Sequence, residues 1–259
     1  MKKGILVVSF GTSYEKTRKL CIRAIEDKIQ ERFKDYTVRR AFTSNMIIRK
    51  LKKRDNLYID TVDEALKKFR EDGFNQVFVQ PLHIIPGHEY EKIVKEVEKY
   101  NKDKVFDKLK LGEPLLYNEE DYSYVIRALE KDIDSLKEEE KLILMGHGTD
   151  HNANKCYKIL EEKLREKGYK NVYIGTAEGY QPIEEIIPLL KERKSKEVNL
   201  QPFMLVAGDH VLNDMVGKED SWKVKLENKG FIVGSKIKGL GEKEEFQNIF
   251  INKLEYMLY

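Results

Sequence analysis

Short apolar runs and longer stretches of helical periodicity alternate along this chain. Gly4 to Phe10 is nearly all apolar, and the charged stretch after it, from about Tyr14 to Phe33, repeats its apolar positions every three or four residues. The same reading predicts strands over Tyr36 to Phe42, Gln76 to Gln80, Val105 to Leu111, Lys141 to Gly146, Asn171 to Ala177, Glu197 to Phe203 and Phe231 to Lys236. Helices are predicted over about 59–72, 87–101, 118–136, 151–168, 182–193 and 242–258. Strands without polar alternation are buried on both faces, which is the habit of parallel sheets covered by helices. Repeated βα units of about thirty residues therefore predict a doubly wound, Rossmann-like α/β architecture.

The chain also repeats itself. Gln80-Pro81-Leu82-His83-Ile84-Ile85-Pro86-Gly87-His88-Glu89 aligns without a gap on Gln201-Pro202-Phe203-Met204-Leu205-Val206-Ala207-Gly208-Asp209-His210. Ser9-Phe10-Gly11-Thr12 matches Gly146-His147-Gly148-Thr149, and Val38 to Ser44 can be laid on Val172 to Glu178. Three matches in the same order predict two similar domains, 1–130 and 131–241, with the last helix, 242–259, open to return to either half. No Pro- or Gly-rich linker marks the boundary.

Composition narrows the class. With 48 basic and 45 acidic residues the net charge is only +3, and no long single-sign run stands out, which argues against a nucleic-acid binder. The two cysteines, Cys21 and Cys156, fall on apolar helix faces and read as buried reduced thiols in a reducing, cytoplasmic setting. The first apolar run is shorter than the ~7–15 residues of a signal-peptide core, and nothing approaches a membrane span.

The polar residues at strand ends carry the chemistry. His147, Glu178 and His210 each follow an apolar strand and are separated by 31 and 32 residues, one βα unit each. The C-terminal ends of neighbouring parallel strands share an edge, and open α/β sheets bind ligands there. Two imidazoles and a carboxylate suit a borderline divalent ion such as Co2+, Ni2+, Fe2+ or Zn2+. Each residue alone has a plain structural explanation, such as a satisfied histidine or a helix-start acid. Their equivalent placement favours the metal. The repeat puts Phe10, Ser44 and Glu89 at the matching positions of the first half, so only the second half should bind metal in this way.

Other signals are weaker. The turns Gly11-Thr12-Ser13 and Gly146-His147-Gly148-Thr149 lie between strand and helix, where backbone N–H groups could meet an anion. Neither is a dinucleotide or Walker motif, so no nucleotide cofactor is expected. Ser9 lacks the first glycine of a nucleophile elbow. His83 aligns with Met204 and reads as a wall residue or a ligand contact; His88 and His151 read as loop or helix-start residues. Arg39, Arg40, Arg49, Lys50, Lys52, Lys53 and Arg54 form either a solvated face or an attractor for a polycarboxylate.

At these residues the sequence resembles the class II chelatases, specifically the anaerobic sirohydrochlorin cobaltochelatases of the CbiK type. The resemblance is carried by Leu6-Val7-Val8-Ser9-Phe10-Gly11-Thr12-Ser13, by Ala41-Phe42-Thr43-Ser44 followed by Met46-Ile47-Ile48-Arg49, and by Leu82-His83-Ile84-Ile85 followed by Glu89-Tyr90-Glu91-Lys92-Ile93. Met145-Gly146-His147-Gly148 and Leu205-Val206-Ala207-Gly208-Asp209-His210 complete it. It implies two similar α/β domains with an interdomain tetrapyrrole cleft, and insertion of cobalt into a precorrin-2-derived ring on the early-cobalt route to vitamin B12. The family's general base and metal ligand falls on His147, its other ligands on Glu178 and His210, and a cleft-facing acid on Glu89. Pro86 and His88 stand where other residues are expected in close relatives. The implied partner is sirohydrochlorin or precorrin-2, held against Phe10, Gly11, Thr12, Ser13, Leu82 and His83; no nucleic acid or membrane is implied, and a homo-oligomer is left open. Three readings stay beside cobalt insertion: the same reaction with Fe2+ or Ni2+, a metal or tetrapyrrole delivery protein without turnover, and a metal-dependent hydrolase. The last would need further acidic ligands, for which only Asp150, Asp209 and Asp214 are candidates.

Overall fold

The computed structural model describes all residues, 1–259. They form two compact units, one of Met1–Tyr117 with Gly241–Tyr259 and the other of Asn118–Leu240. The boundary thus falls at Tyr117/Asn118 and not near residue 130. The helix α6, Glu119–Ile133, belongs wholly to the second unit: Glu130 accepts from the Tyr169 hydroxyl at 3.2 Å and Asp132 from the Gln201 amide at 3.2 Å.

The first unit holds the strands β1 (Lys2–Ser9), β2 (Thr37–Phe42), β3 (Phe74–Pro81) and β4 (Lys108–Leu111), all parallel in the order β2-β1-β3-β4. Its helices are α1 (Glu15–Thr17), a π-helical stretch Arg18–Arg23, α2 (Ala24–Arg32), α3 (Asn45–Asp55), α4 (Val62–Glu71), α5 (His88–Lys102) and, from the end of the chain, α10 (Glu244–Leu258). The helix α10 is tied to this unit by Arg32–Glu255 at 2.7 Å and by Lys110, whose ammonium donates to the Met257 carbonyl at 3.0 Å. In this unit α3 has no counterpart among the sequence-predicted elements. Ser44 caps it, accepting from the Ile47 N–H, but only Ile47 and Leu51 are buried on it, so its apolar periodicity is thin.

The second unit repeats the plan: β5 (Glu140–Gly148), β6 (Val172–Glu178), β7 (Glu197–Pro202) and β8 (Ile232–Ser235) lie parallel in the order β6-β5-β7-β8. Helices α7 (Lys155–Glu166) and α8 (Ile183–Glu192), a π-helical turn Val211–Met215 and α9 (Trp222–Glu227) complete it with α6. The sequence repeat is visible bond for bond. Leu82 N–H donates to the Val8 carbonyl at 2.7 Å, and Phe203 N–H donates to the Met145 carbonyl at 2.7 Å. Leu115 donates to His83 and Leu240 to Met204, each at 2.8 Å. The aligned pairs Leu82/Phe203, Val8/Met145 and His83/Met204 thus take the same backbone bonds in both units.

Each sheet is buried on its apolar strands. In the first unit Leu6, Val8, Val77 and Val79 pack with Leu66, Phe69 and Ile93; in the second Ile143, Met145, Tyr173 and Leu200 pack with Ile186, Leu190 and Trp222. Trp222 closes over Gly175, where a Cβ would come within 2.8 Å of its ring. Part of the basic run is structural. Arg39 stacks on the Phe69 and Phe74 rings at 4.4 and 5.2 Å, and Arg40 pairs with Glu26 at 2.7 Å, which leaves Arg49, Lys50, Lys52 and Lys53 exposed on α3. Cys21 and Cys156 are buried free thiols. No helix is long and apolar enough to cross a membrane.

Candidate metal centre

Strand β5 ends in Gly146-His147-Gly148, and both glycines are dictated by close packing. A Cβ at Gly146 would lie 2.5 Å from the Tyr157 ring on α7; at Gly148, whose φ is +80°, it would lie 1.5 Å from the Glu178 carbonyl oxygen. Between them His147 projects from the sheet edge, exposed, while Gly148 pairs with Glu178 in the β5–β6 register. His210 opens the π-helical turn Val211–Met215, reached from β7 through the loop 203–209. The structure brings the two imidazoles together, with ring centroids 4.4 Å apart and planes crossing at 77°.

Both rings are held by Nδ1. In His147 that nitrogen is 3.0 Å from the Gly148 carbonyl oxygen, and in His210 it is 2.6 Å from the Asp214 carboxylate. A carbonyl and a carboxylate can only accept, so the Nδ1 of each neutral ring carries the proton and Nε2 is left with its lone pair. Two imidazoles with Nε2 available at one strand edge form the donor arrangement that a borderline divalent ion needs.

Glu178 ends β6, its backbone paired with Gly148 and its side chain exposed. The following turn is tightly specified. Thr176 Oγ1 donates to the Glu178 carbonyl at 2.9 Å and also to the Tyr180 carbonyl, while Gly179 and Gln181 take positive φ of 92° and 44°. A side chain at Gly179 would strike Asn154 and the Thr149 carbonyl. Below the turn, the buried carboxylate of Glu161 accepts from Ile174 N–H at 3.2 Å and from the Tyr180 hydroxyl at 3.3 Å, and pairs with Arg165. Burial, with the Glu161 charge behind it, pushes the Tyr180 phenol well above its ordinary range. Glu161 and Thr176 were not among the sequence-derived site residues, and Asp214 was named there only as an acid that a hydrolase could use. Glu161 gives a signal in hindsight, an acid on the apolar face of α7 beside Leu160 and Leu164.

The remaining candidates, His151 excepted, lie in the first unit. Phe10 is exposed at the end of β1, whereas Gly11, Thr12, Ser13 and Leu82 are buried. Gly11 has φ +96°, matching Gly148, and presses on the Phe42 ring. Arg18 and Arg54 hold this turn by donating to the Thr12 and Ser13 carbonyls. Glu89 begins α5, pairs with Lys92 through one oxygen and keeps the other buried without a partner. His83 also has an unpartnered buried Nδ1, and its Nε2 is 3.5 Å from Thr43 Oγ1. His88 is at the start of α5, and His151 caps the short 3-10 turn Asn152–Asn154 by accepting from Ala153 N–H at 3.0 Å.

Burial depresses His83 from 6.5 to about 4, partly offset by Glu89 and reinforced by Lys92. The unfolded chain therefore binds a proton that the folded chain does not as pH falls from about 6.5 to about 4. Stability from this group is full above about 6.5 and declines by up to about 1.4 kcal/mol per pH unit across that window. In urea melts at graded pH, His83→Gln should flatten the acid side of the stability curve; an unchanged acid limb would contradict the assignment.

Residues 3–258 match the family described as cobalt chelatase (CbiK). A sirohydrochlorin cobaltochelatase of Salmonella typhimurium is 40% identical over 259 residues, spanning 100% of this chain and 97% of its own. Sirohydrochlorin cobaltochelatase CbiKC of Nitratidesulfovibrio vulgaris is 35% identical over 255 residues, spanning 98% of this chain and 89% of its own. Among solved structures, SirB from Bacillus subtilis with Fe3+ aligns with a TM-score of 0.64 at 18% identity, covering 99% of this chain and 96% of that one. CbiX, described as the terminal enzyme of siroheme biosynthesis in denitrifying bacteria, aligns at 0.61 and 14% identity, covering 99% and 100%. These two support the fold.

Proposed function

The chain belongs to the CbiK family of cobalt chelatases, and from that membership we propose that it inserts Co2+ into sirohydrochlorin, or a closely related precorrin-2-derived ring, with release of two protons in cobalamin biosynthesis. The observation that carries the site assignment is the His147–His210 pair, two imidazoles 4.4 Å apart at one strand edge.

Insertion asks three things of the protein: the ion must shed water, the ring must offer its nitrogens to the ion, and two pyrrole N–H protons must leave. His147, His210 and the neighbouring Glu178 would replace water on the incoming Co2+. Transfer of the ion to the ring nitrogens returns the Nε2 lone pair of His147, which can then accept a pyrrole proton; an imidazole is matched to that task near neutral pH. Glu89 is assigned as a second acidic group for proton handling. Phe10 through Ser13, Leu82 and His83 are assigned to the ring, and the exposed basic face of α3 to its carboxylate arms. The chemistry draws on no nucleotide.

The test is a spectrophotometric assay with sirohydrochlorin and Co2+, Fe2+ and Ni2+ in parallel. Multiple turnovers with Co2+ are expected. Faster turnover with Fe2+ or Ni2+ would reassign the metal, and stoichiometric binding without metallation would make the protein a delivery factor.

A further inference from the structure

We infer that Asp214 is the positioning residue of this centre: its carboxylate locks the His210 ring so that Nε2, and not Nδ1, meets the divalent ion. The inference rests on the reading of His210 as a Co2+ ligand. Asp214 follows His210 by four residues across the π-helical turn Val211–Met215, and its Oδ2 lies 2.6 Å from Nδ1. A carboxylate accepts but cannot donate, so a half-turn of the ring about its terminal torsion would exchange an N–H···O⁻ bond for a C–H contact. The ring is therefore fixed in one of its two edge-on orientations.

His147 has a different anchor. Its Nδ1 faces the neutral carbonyl of Gly148 at 3.0 Å, with no formal charge behind it. An ionised partner on the remote nitrogen makes an imidazole a stronger donor to a cation than a neutral partner does. The two ligands are thereby unequal, with His210 the one that retains the ion. The exposure of the pair points the same way. At 38% and 49% side-chain exposure, a His–Asp contact contributes only about 0–1 kcal/mol to folding, so fold stability gives little reason for it.

Co2+ titration of the metal-free protein, followed by its d–d absorption, tests this. Asp214→Asn keeps the shape without the charge, and Asp214→Ala removes both. Each should bind Co2+ about 10–100-fold more weakly, with KM for Co2+ raised, KM for sirohydrochlorin unmoved and the thermal midpoint unchanged. Asp214→Glu should recover part of the affinity. Wild-type Co2+ affinity in both Asn and Ala variants overturns the inference, and so does a lowered thermal midpoint with affinity intact. His210→Ala is run alongside. If it loses Co2+ while the Asp214 variants keep it, only the positioning role fails; if it too binds as wild type, the ligand assignment fails with it.

Discussion

His147→Ala and His210→Ala should each reduce Co2+ insertion by about 10²–10⁴-fold or more, the range spanned by removal of a positioned proton acceptor, while leaving the thermal midpoint in place. Neither ring is part of either apolar core, and both stand at the exposed end of β5 and the turn after β7. The two variants should fail differently. His210→Ala loses the ligand backed by Asp214, so Co2+ binding falls with turnover. His147→Ala should keep measurable Co2+ binding but lose insertion, because the acceptor for the pyrrole proton has gone. Steady-state rates combined with metal titration separate these patterns, and near-normal insertion in both variants would remove the site from consideration.

Gly148→Ala should be the most damaging single methyl group added at the centre. At φ +80° a Cβ costs about 1–2 kcal/mol, and its place is already taken by the Glu178 carbonyl, 1.5 Å away. Relieving that overlap must push β6 from β5, a forced repacking that costs about 1–3 kcal/mol more. The sum, about 2–5 kcal/mol, should appear as a lowered unfolding midpoint together with lost Co2+ affinity. Gly168→Ala supplies the control: its φ is +92°, but nothing lies within 4 Å of the added atom. It should show the backbone cost alone. Equal destabilisation in the two variants would mean that the β5–β6 edge yields without resistance.

The sheet was legible in the sequence because strands buried on both faces leave uninterrupted apolar runs, and because Gln80-Pro81 and Gln201-Pro202 mark the same point of both domains. His147 and Glu178 could be placed on strand ends for the same reason, and His210 on the turn that follows β7. What was not legible depended on geometry that periodicity does not carry. Helix α3 buries too few side chains to stand out from its basic run, and α9 is too short to show a period. The turn Val211–Met215 is π-helical, so no expected helix was present on which the four-residue step from His210 to Asp214 could be recognised. The domain boundary moved because α6 is fastened through Glu130 and Asp132, polar residues whose partners are distant in sequence. His83 keeps the place of Met204 in the repeat, yet its depressed basicity comes from burial that the sequence does not display.

Trp222 is the only tryptophan in the chain, and it is buried over Gly175 inside the second unit. Tryptophan-selective fluorescence therefore follows the second unit alone, whereas far-ultraviolet dichroism sums over both. Coincident transitions from the two probes would make the protein a single cooperative system. A gap between them would give each unit its own unfolding free energy, and added Co2+ should then move the fluorescence curve and leave the remainder behind.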